Sequence, residues 1–327
     1  MLSFSYGRAT SLDDAITLAS SPDTTVLAGG TELLNWARIG IAAPLRVLDI
    51  GRIPDLDKIE RLSCEGLRIG SLAKLRDTAH HPIVRSKYIV LSQAILKAAS
   101  AQLRNRATIG GNLLQRTRCP YFRSEQPTSC NKRFPGSGCA AFGGHNEKHA
   151  IFGWNSDCVA VQPSDPAVAL SALDAVVITA RANGGRRIPA SRFHVLPGKD
   201  AAAHNVLEQG ELIVAIELGA PPERSAYLKV RERESYEFAT ISAAATIALD
   251  GDIIRNARIA LGSVAMRPWR LLETESLLIG VKLGSAQMRS AIDAGLREAA
   301  SLTRNEFKIT LARNVAERAL LLAGGVE

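Results

Sequence analysis

Apolar positions recur along this chain in two rhythms, and their alternation predicts its elements. In Ser11-Leu12-Asp13-Asp14-Ala15-Ile16-Thr17-Leu18-Ala19 they fall at helical spacing, with Ser11 placed as N-cap and Asp14 three residues on. β-Branched and apolar Thr24-Thr25-Val26-Leu27 reads as a strand, runs into Ala28-Gly29-Gly30-Thr31, and gives way to helical Glu32-Leu33-Leu34-Asn35-Trp36-Ala37. Residues 46–50 and 67–71 read as strands, and Tyr88 to Ala99 as an amphipathic helix leading to a second glycine turn, Thr108-Ile109-Gly110-Gly111-Asn112-Leu113. Ser164-Asp165-Pro166 opens a helix through Leu173, and Ala175 to Thr179 is a strand closed by Asn183-Gly184-Gly185. From about residue 224 strand-like runs dominate: 226–231, 240–249 and 253–263, the last two joined by Asp250-Gly251, predict an antiparallel sheet. Helical patterns then occupy 270–279, 285–303 and 310–323. The division is into a small α/β lobe (1–55), a larger α+β lobe (56–222) and a C-terminal sheet with three helices (223–327), with no solenoid period.

One stretch, about 115–160, has neither rhythm. It is rich in Pro, Gly, Asn and Ser and holds Cys119, Cys130, Cys139 and Cys158, four of the five cysteines. A loop of that length inside a compact domain is rarely idle. An odd cysteine count gathered in one region fits a metal or cluster site better than a disulfide framework. The spacings match neither the tight ferredoxin run nor a zinc ribbon, so iron-sulfur cluster, zinc and unligated thiols all stay open on spacing alone. His145 and His149 in the same loop are alternative ligands, or more simply solvated loop histidines. Cys64 reads as a small buried residue.

The net charge of +8 is partly local: Arg104, Arg106, Arg116, Arg118, Arg123, Lys132 and Arg133 face only Glu125 in their interval. A thiolate-held cluster is anionic, as is a dinucleotide diphosphate, so a basic collar has two uses here. Aromatics are few and no recognition helix or aromatic RNA motif occurs, so nucleic acid is not the expected partner. No stretch of about eighteen apolar residues occurs, and Met1 to Arg8 lacks a basic start followed by an apolar run, so neither membrane insertion nor a signal of its own is expected. Two Gly-Gly turns can offer backbone amides to two phosphates, glycine being needed where a side chain would block the approach. The Rossmann G-x-G-x-x-G and P-loop patterns are absent.

Val26-Leu27-Ala28-Gly29-Gly30-Thr31-Glu32-Leu33-Leu34, Thr108-Ile109-Gly110-Gly111-Asn112, Pro163-Ser164-Asp165, Tyr227-Leu228-Lys229-Val230-Arg231 and Arg267-Pro268-Trp269-Arg270 together resemble the FAD-binding subunit of the molybdenum hydroxylases, the xanthine dehydrogenase and aldehyde oxidoreductase group. The resemblance runs nearly end to end. It implies an α+β fold: a two-lobed FAD-binding domain of the vanillyl-alcohol (PCMH) type, followed by an antiparallel sheet with a helical bundle. The cysteine loop is similar to an insertion in bacterial periplasmic aldehyde oxidoreductases, which implies that Cys119, Cys130, Cys139 and Cys158 hold a [4Fe-4S] cluster.

The same resemblance implies FAD held by Val26 to Leu34, with amides of Ala28 to Glu32 and of Gly110 to Asn112 around the diphosphate, Thr108 and Ile109 beside them, Asp165 on ribityl or ribose hydroxyls, and main-chain contacts near Ile213. Glu32 stands where relatives carry a smaller polar residue. Lys229 is expected near the flavin and Tyr236 beside the isoalloxazine or as filler. No catalytic residue is expected in this chain. A large molybdenum-cofactor subunit and a small subunit with two [2Fe-2S] centres would complete a heterotrimer that oxidises aldehydes and passes electrons through FAD to an external acceptor. Export to the periplasm on a signal-bearing partner is implied, with the cytoplasm as the alternative. The competing readings are a zinc-stabilised scaffold subunit and an independent flavin oxidase.

Overall fold

The computed structural model describes residues 2–63, 65–198 and 200–326. Helix Leu12–Ala19 starts where its cap predicts: the Ser11 hydroxyl accepts from the Asp14 amide, and the Asp14 carboxylate accepts from the Thr10 amide, each at 3.1 Å. Its buried Ala15, Ile16 and Ala19 pack on a three-stranded parallel sheet of β1 (Ser5–Arg8), β2 (Thr24–Leu27) and β3 (Arg46–Asp49), ordered β1-β3-β2. The first glycine turn therefore leaves the carboxyl end of a parallel strand, where open α/β sheets bind ligands.

The second sheet contains β4 (Ile59–Arg61), β5 (Leu67–Gly70), β6 (Val176–Ala180), β7 (Arg187–Pro189) and β8 (Leu212–Leu218), all antiparallel and ordered β4-β5-β8-β6-β7. Helices Leu75–His80, Ile89–Lys97 and Asp165–Ala172 share its core. Ser164 caps the last of these, accepting from the Ala167 amide at 3.1 Å, as expected. Every residue of Asp165–Ala172 is buried, because this helix lies between the core of the second sheet and the C-terminal sheet.

The C-terminal sheet has β9 (Arg224–Val230), β10 (Ile241–Asp250), β11 (Ile253–Gly262) and β12 (Trp269–Arg270), ordered β12-β11-β10-β9. Gly251 supplies the positive φ of +59° that the β10–β11 turn requires. Along β10, Ala244 enters the core shared with helix Asp165–Ala172, while Ala243, Ala245 and Ile247 enter the one covered by helix Phe307–Gly324. Strand periodicity thus sends alternate residues to different cores, and alanine lets both helices come close. The helix expected over 285–303 ends early, at Gly295. A Cβ at Gly295 would overlap the Thr274 hydroxyl, and the following chain is drawn away: the Ala300 amide donates to the Ile151 carbonyl at 2.8 Å, and Asn305 Nδ2 to the His149 and Ala150 carbonyls. Among the described residues no helix is long and apolar enough to cross a membrane.

Glu211, just ahead of β8, is a test of how the second sheet is fastened. Its buried carboxylate accepts from Thr179 Oγ1, Arg186 Nε at 2.8 Å and the Glu208 amide at 3.0 Å. Burial pushes the carboxyl up, but Arg186, Thr179 and that amide outweigh it and hold it down to about 2. Because the folded value lies below the unfolded one, the stabilisation is present above pH 4.5 and is lost as pH falls towards 2. Glu211→Gln is expected to cost about 2–3 kcal/mol at pH 7, with the gap to the unsubstituted chain narrowing below pH 4; urea midpoints across pH check this.

Candidate functional site

A cleft of about 600 Å³ opens where the end of β2, the segment after Arg106, the start of β8 and Asp165 meet. That volume is in the range of small-molecule sites, about 300–1,000 Å³. Of the residues expected to form one site, Val26 to Leu33, Thr108, Gly110, Gly111, Asn112, Asp165 and Ile213 do line the cleft. Leu34, Ile109 and Lys229 do not line it. Leu34 is 45% exposed and Ile109 is fully buried beneath the cleft wall.

The two glycine segments, alike in sequence, differ in kind. In the first, no amide from Ala28 to Leu33 has an acceptor among the described residues, so a row of N–H groups is left for a ligand. Gly30 takes φ +77°, a left-handed conformation that suits glycine. Gly29 is needed for packing: a Cβ there would overlap the Arg106 carbonyl oxygen and stand 3.1 Å from the Ala107 Cα. That contact docks the first turn on the chain leading to the second.

The second segment is not a turn before a helix; residues Ile109–Leu113 are the helix, a short one capped by Thr108. Its amides are already spent. Gly110 donates to the Ser71 carbonyl at 2.9 Å, Gly111 to Thr108 Oγ1 at 3.1 Å and Asn112 to the Thr108 carbonyl at 2.9 Å. The Gly110 to Asn112 segment thus lines the cleft as expected, but carbonyls and a cap hydroxyl accept from its amides, unlike those of the first segment. Gly110 is glycine because a Cβ would lie 2.9 Å from the Ser71 Cβ. Asn112 instead uses its side chain, its Oδ1 accepting from the Ser164 hydroxyl at 2.6 Å, which ties this segment to Asp165.

Asp165 is buried at the cleft wall, with Lys229 behind it. Lys229 Nζ donates to Asp165 Oδ2 at 2.8 Å and to the Lys97 carbonyl at 3.0 Å, and Tyr227 donates its hydroxyl to Asp165 Oδ1. Burial pushes the Asp165 carboxyl up, opposed by Lys229 and Tyr227; the Tyr227 phenol is pushed well up by burial and by Asp165. The lysine expected beside the ligand thus lies behind the aspartate, with only 1% of its side chain exposed.

Several cleft residues were not singled out by the sequence. Arg116 lies with its guanidinium 4.5 Å over the Trp36 ring, and Arg118 lies 4.5 Å over Phe238 while pairing with Glu32. The second oxygen of Glu32 and the Trp36 indole N–H are buried without a partner among the described residues. Phe238 occupies the cleft where Tyr236 was considered; Tyr236 is 60% exposed. The forewarning for the two arginines was the basic collar of the sequence, one use of which is a dinucleotide diphosphate; Trp36 and Phe238 carried none.

Beyond the cleft, Cys119, Cys130, Cys139 and Cys158 line one small cavity. Cys130 and Cys139 face each other in a β-bridge. Backbone amides point at the sulfurs: Tyr121 and Phe122 at Cys119, Lys132 and Arg133 at Cys130, Ala160 at Cys158. Burial pushes the Cys119 thiol up to about 12 and raises Cys130 and Cys158, so these sulfurs need a cation to exist as thiolates. As placed, no three His, Cys, Asp or Glu side chains among the described residues stand close enough to hold one metal ion. His145 is a solvated loop histidine, as expected. His149 is not: it is buried, its Nε2 lies 3.2 Å from Cys119 Sγ, and burial with nearby Lys308 pulls it down to about 4. The reason is tertiary, since Lys308 and Asn305 clamp the His149 carbonyl from the C-terminal unit. Cys64 lies outside the described residues.

The family described as FAD binding domain in molybdopterin dehydrogenase matches residues 2–221, and that described as CO dehydrogenase flavoprotein C-terminal domain matches residues 226–323. The chain is 44% identical over 317 residues to the aldehyde oxidoreductase FAD-binding subunit PaoB of Escherichia coli K12, covering 96% of each. It is 28% identical to the glyceraldehyde dehydrogenase medium chain of Sulfolobus acidocaldarius, over 86% of this chain and 82% of that one. Carbon monoxide dehydrogenase from Hydrogenophaga pseudoflava superposes with a TM-score of 0.77 at 25% identity, over 99% of this chain and 98% of that one. Quinoline 2-oxidoreductase from Pseudomonas putida 86 shares the fold, with a TM-score of 0.76 at 22% identity over 99% of this chain and 98% of the other.

Proposed function

Because this chain belongs to the FAD-binding subunits of the molybdenum hydroxylases, we propose that it is the electron-transfer subunit of a heterotrimeric aldehyde oxidoreductase. Electrons from a large molybdenum-cofactor partner would arrive through the two [2Fe-2S] centres of a small partner and leave through FAD to an external acceptor. The aldehyde assignment is supported by the 44% identity to a chain that bears that name. The observation that carries the flavin reading is the row of free amides from Ala28 to Leu33, opening on a cleft of about 600 Å³. Bound FAD would supply the redox chemistry. This chain's residues would bind and orient it: the free amides on the diphosphate, Asp165 as an acceptor fixed by Lys229 and Tyr227, Ile213 along the wall, and Arg118 with Glu32 and Phe238 at the rim.

The second half of the proposal is that Cys119, Cys130, Cys139 and Cys158 hold a [4Fe-4S] cluster. Four sulfurs around one cavity, each of three facing backbone amides, support it. A cluster takes one thiolate per iron, which suits sulfurs spread around a cavity; a tetrahedral zinc needs all of them on one ion, and no such grouping is present among the described residues. The periplasm, reached on a signal-bearing partner, is the proposed compartment. Fractionation of cells with and without that partner's signal checks this, and chain found only in the cytoplasm in both would sink it.

Anaerobic purification with flavin and metal quantitation tests the reading. About four irons and one FAD per chain, with the broad absorbance of a thiolate-held cluster, are expected. A colourless preparation containing zinc would overturn both halves; flavin without iron would overturn the cluster alone.

A further inference from the structure

Of the seven basic residues gathered between positions 104 and 133, most are occupied with the protein itself. Arg104 donates to the Ala98 carbonyl at 2.8 Å, Arg118 pairs with Glu32, Arg123 bonds the Asn35 side chain, Lys132 bonds the Ala201 and Ala203 carbonyls, and Arg133 bonds the Ser124 carbonyl. Arg106 is exposed to solvent. Arg116 is different. It is half-buried in the wall of the flavin cleft, and it makes no hydrogen bond or ion pair with any described residue. Its guanidinium carbon lies 4.5 Å from the centre of the Trp36 ring, with Glu32, Lys132 and His204 as charged or titratable neighbours. Burial makes the charged form less comfortable, with only Glu32 nearby to offset it.

A guanidinium carries five N–H donors in a fixed fork, the geometry that suits phosphate oxygens. Trp36 lies on helix Leu33–Arg38, directly after the free amides of Ala28 to Leu33, so the stack fixes the cation beside them. In the second glycine segment the Gly110, Gly111 and Asn112 amides already donate to protein oxygens, so the row of amides without an acceptor lies on the Trp36 side of the cleft. A diphosphate would bring negative charge to this wall, and a cation with no acceptor among the described residues stands there.

We propose that Arg116 is a ligand of the dinucleotide diphosphate, delivered to the flavin cleft by the beginning of the cysteine-bearing segment and held in place by Trp36. The inference rests on the flavin reading above and goes beyond it by giving the inserted segment a direct part in holding FAD. Because Arg116 is three residues from Cys119, the order of the cysteine loop and the retention of flavin are coupled through it.

The full chain, stripped of flavin and titrated with FAD and with riboflavin by fluorescence quenching, tests the assignment. Arg116→Gln is expected to weaken FAD about 10- to 100-fold, the value of a charge-assisted contact, while riboflavin, which lacks phosphate, changes by less than about twofold. Arg116→Lys should recover part of the loss, since it keeps charge without the fork. FAD binding within about twofold of the unsubstituted chain, or equal weakening of FAD and riboflavin, would overturn the proposal, the latter pointing to a structural role. Failure of the unsubstituted chain to bind FAD would instead defeat the flavin reading itself.

Discussion

Gly29→Ala is expected to yield a chain that retains no flavin. The added Cβ would overlap the Arg106 carbonyl oxygen and approach the Ala107 Cα to 3.1 Å. Both are backbone atoms, so no rotamer change relieves the clash. The opposing strand of chain is itself anchored, the Ala107 amide donating to the Leu103 carbonyl at 2.8 Å and the Ala107 carbonyl accepting from the Leu75 amide at 2.9 Å. Relief therefore requires the first turn to withdraw from the cleft, taking with it the free amides on which the diphosphate is proposed to sit. An overpacked site of this kind costs about 1–3 kcal/mol or more in stability, and a displaced set of phosphate donors costs FAD affinity at least 100-fold, about 2.7 kcal/mol. Gly30→Ala meets a milder obstacle, a φ of +77° and the movable Leu34 side chain, and should cost about 1–2 kcal/mol. Gly7→Ala, which meets nothing within 4 Å, is the silent control. Flavin-to-protein absorbance ratios and melting curves of the three variants check the ranking. Full flavin occupancy in Gly29→Ala would refute the docking role given to that contact.

Lys229→Met is expected to destabilise the chain by about 3–5 kcal/mol, because it strands the Asp165 carboxylate in a buried site with only the Tyr227 hydroxyl as partner. The Asp165 carboxyl, already pushed up by burial, would rise further without the lysine. A carboxyl whose folded value lies above its unfolded one is favoured in its protonated form by folding, so the deficit of this variant should shrink as pH falls and grow as pH rises through the raised value. Adding Asp165→Asn removes the stranded charge, and the double variant should recover most of the lost stability while still binding FAD more weakly, since the cleft loses its charged acceptor. Urea denaturation at pH 5 and pH 8 measures both effects. Equal deficits at the two pH values would show that Lys229 acts by packing and not by charge.

The three cofactor-related segments illustrate what could be read in advance. The Ser11 and Ser164 caps and the Asp250-Gly251 turn depend on partners within a few residues and stand where the sequence placed them, and the amides after β2 are left without an acceptor among the described residues by the local glycine turn. The grouping of Cys119, Cys130, Cys139 and Cys158 was equally plain, since a long loop with four thiols has few other uses. What periodicity and caps do not carry is who accepts from whom across the fold. Gly110-Gly111 looked like a second phosphate turn because its local residues are those of one. Its amides were claimed by the Ser71 carbonyl and the Thr108 side chain, the first from a strand end far away in sequence.

By itself, then, the sequence determined the elements with local signals, the family and the set of cysteines, because helix caps, glycine turns and alternating apolar positions act over a few bonds. Tertiary structure alone decided that Lys229 stands behind Asp165, that His149 is buried against Cys119, that helix Ala286–Gly295 stops short so that Asn305 and Lys308 can clamp the cysteine loop, and that Arg116 sits half-buried in the cleft with no acceptor among the described residues. Each depends on a polar group finding, or failing to find, a partner from a distant part of the chain once both have left water, and that pairing is settled only when the sheets and helices have packed.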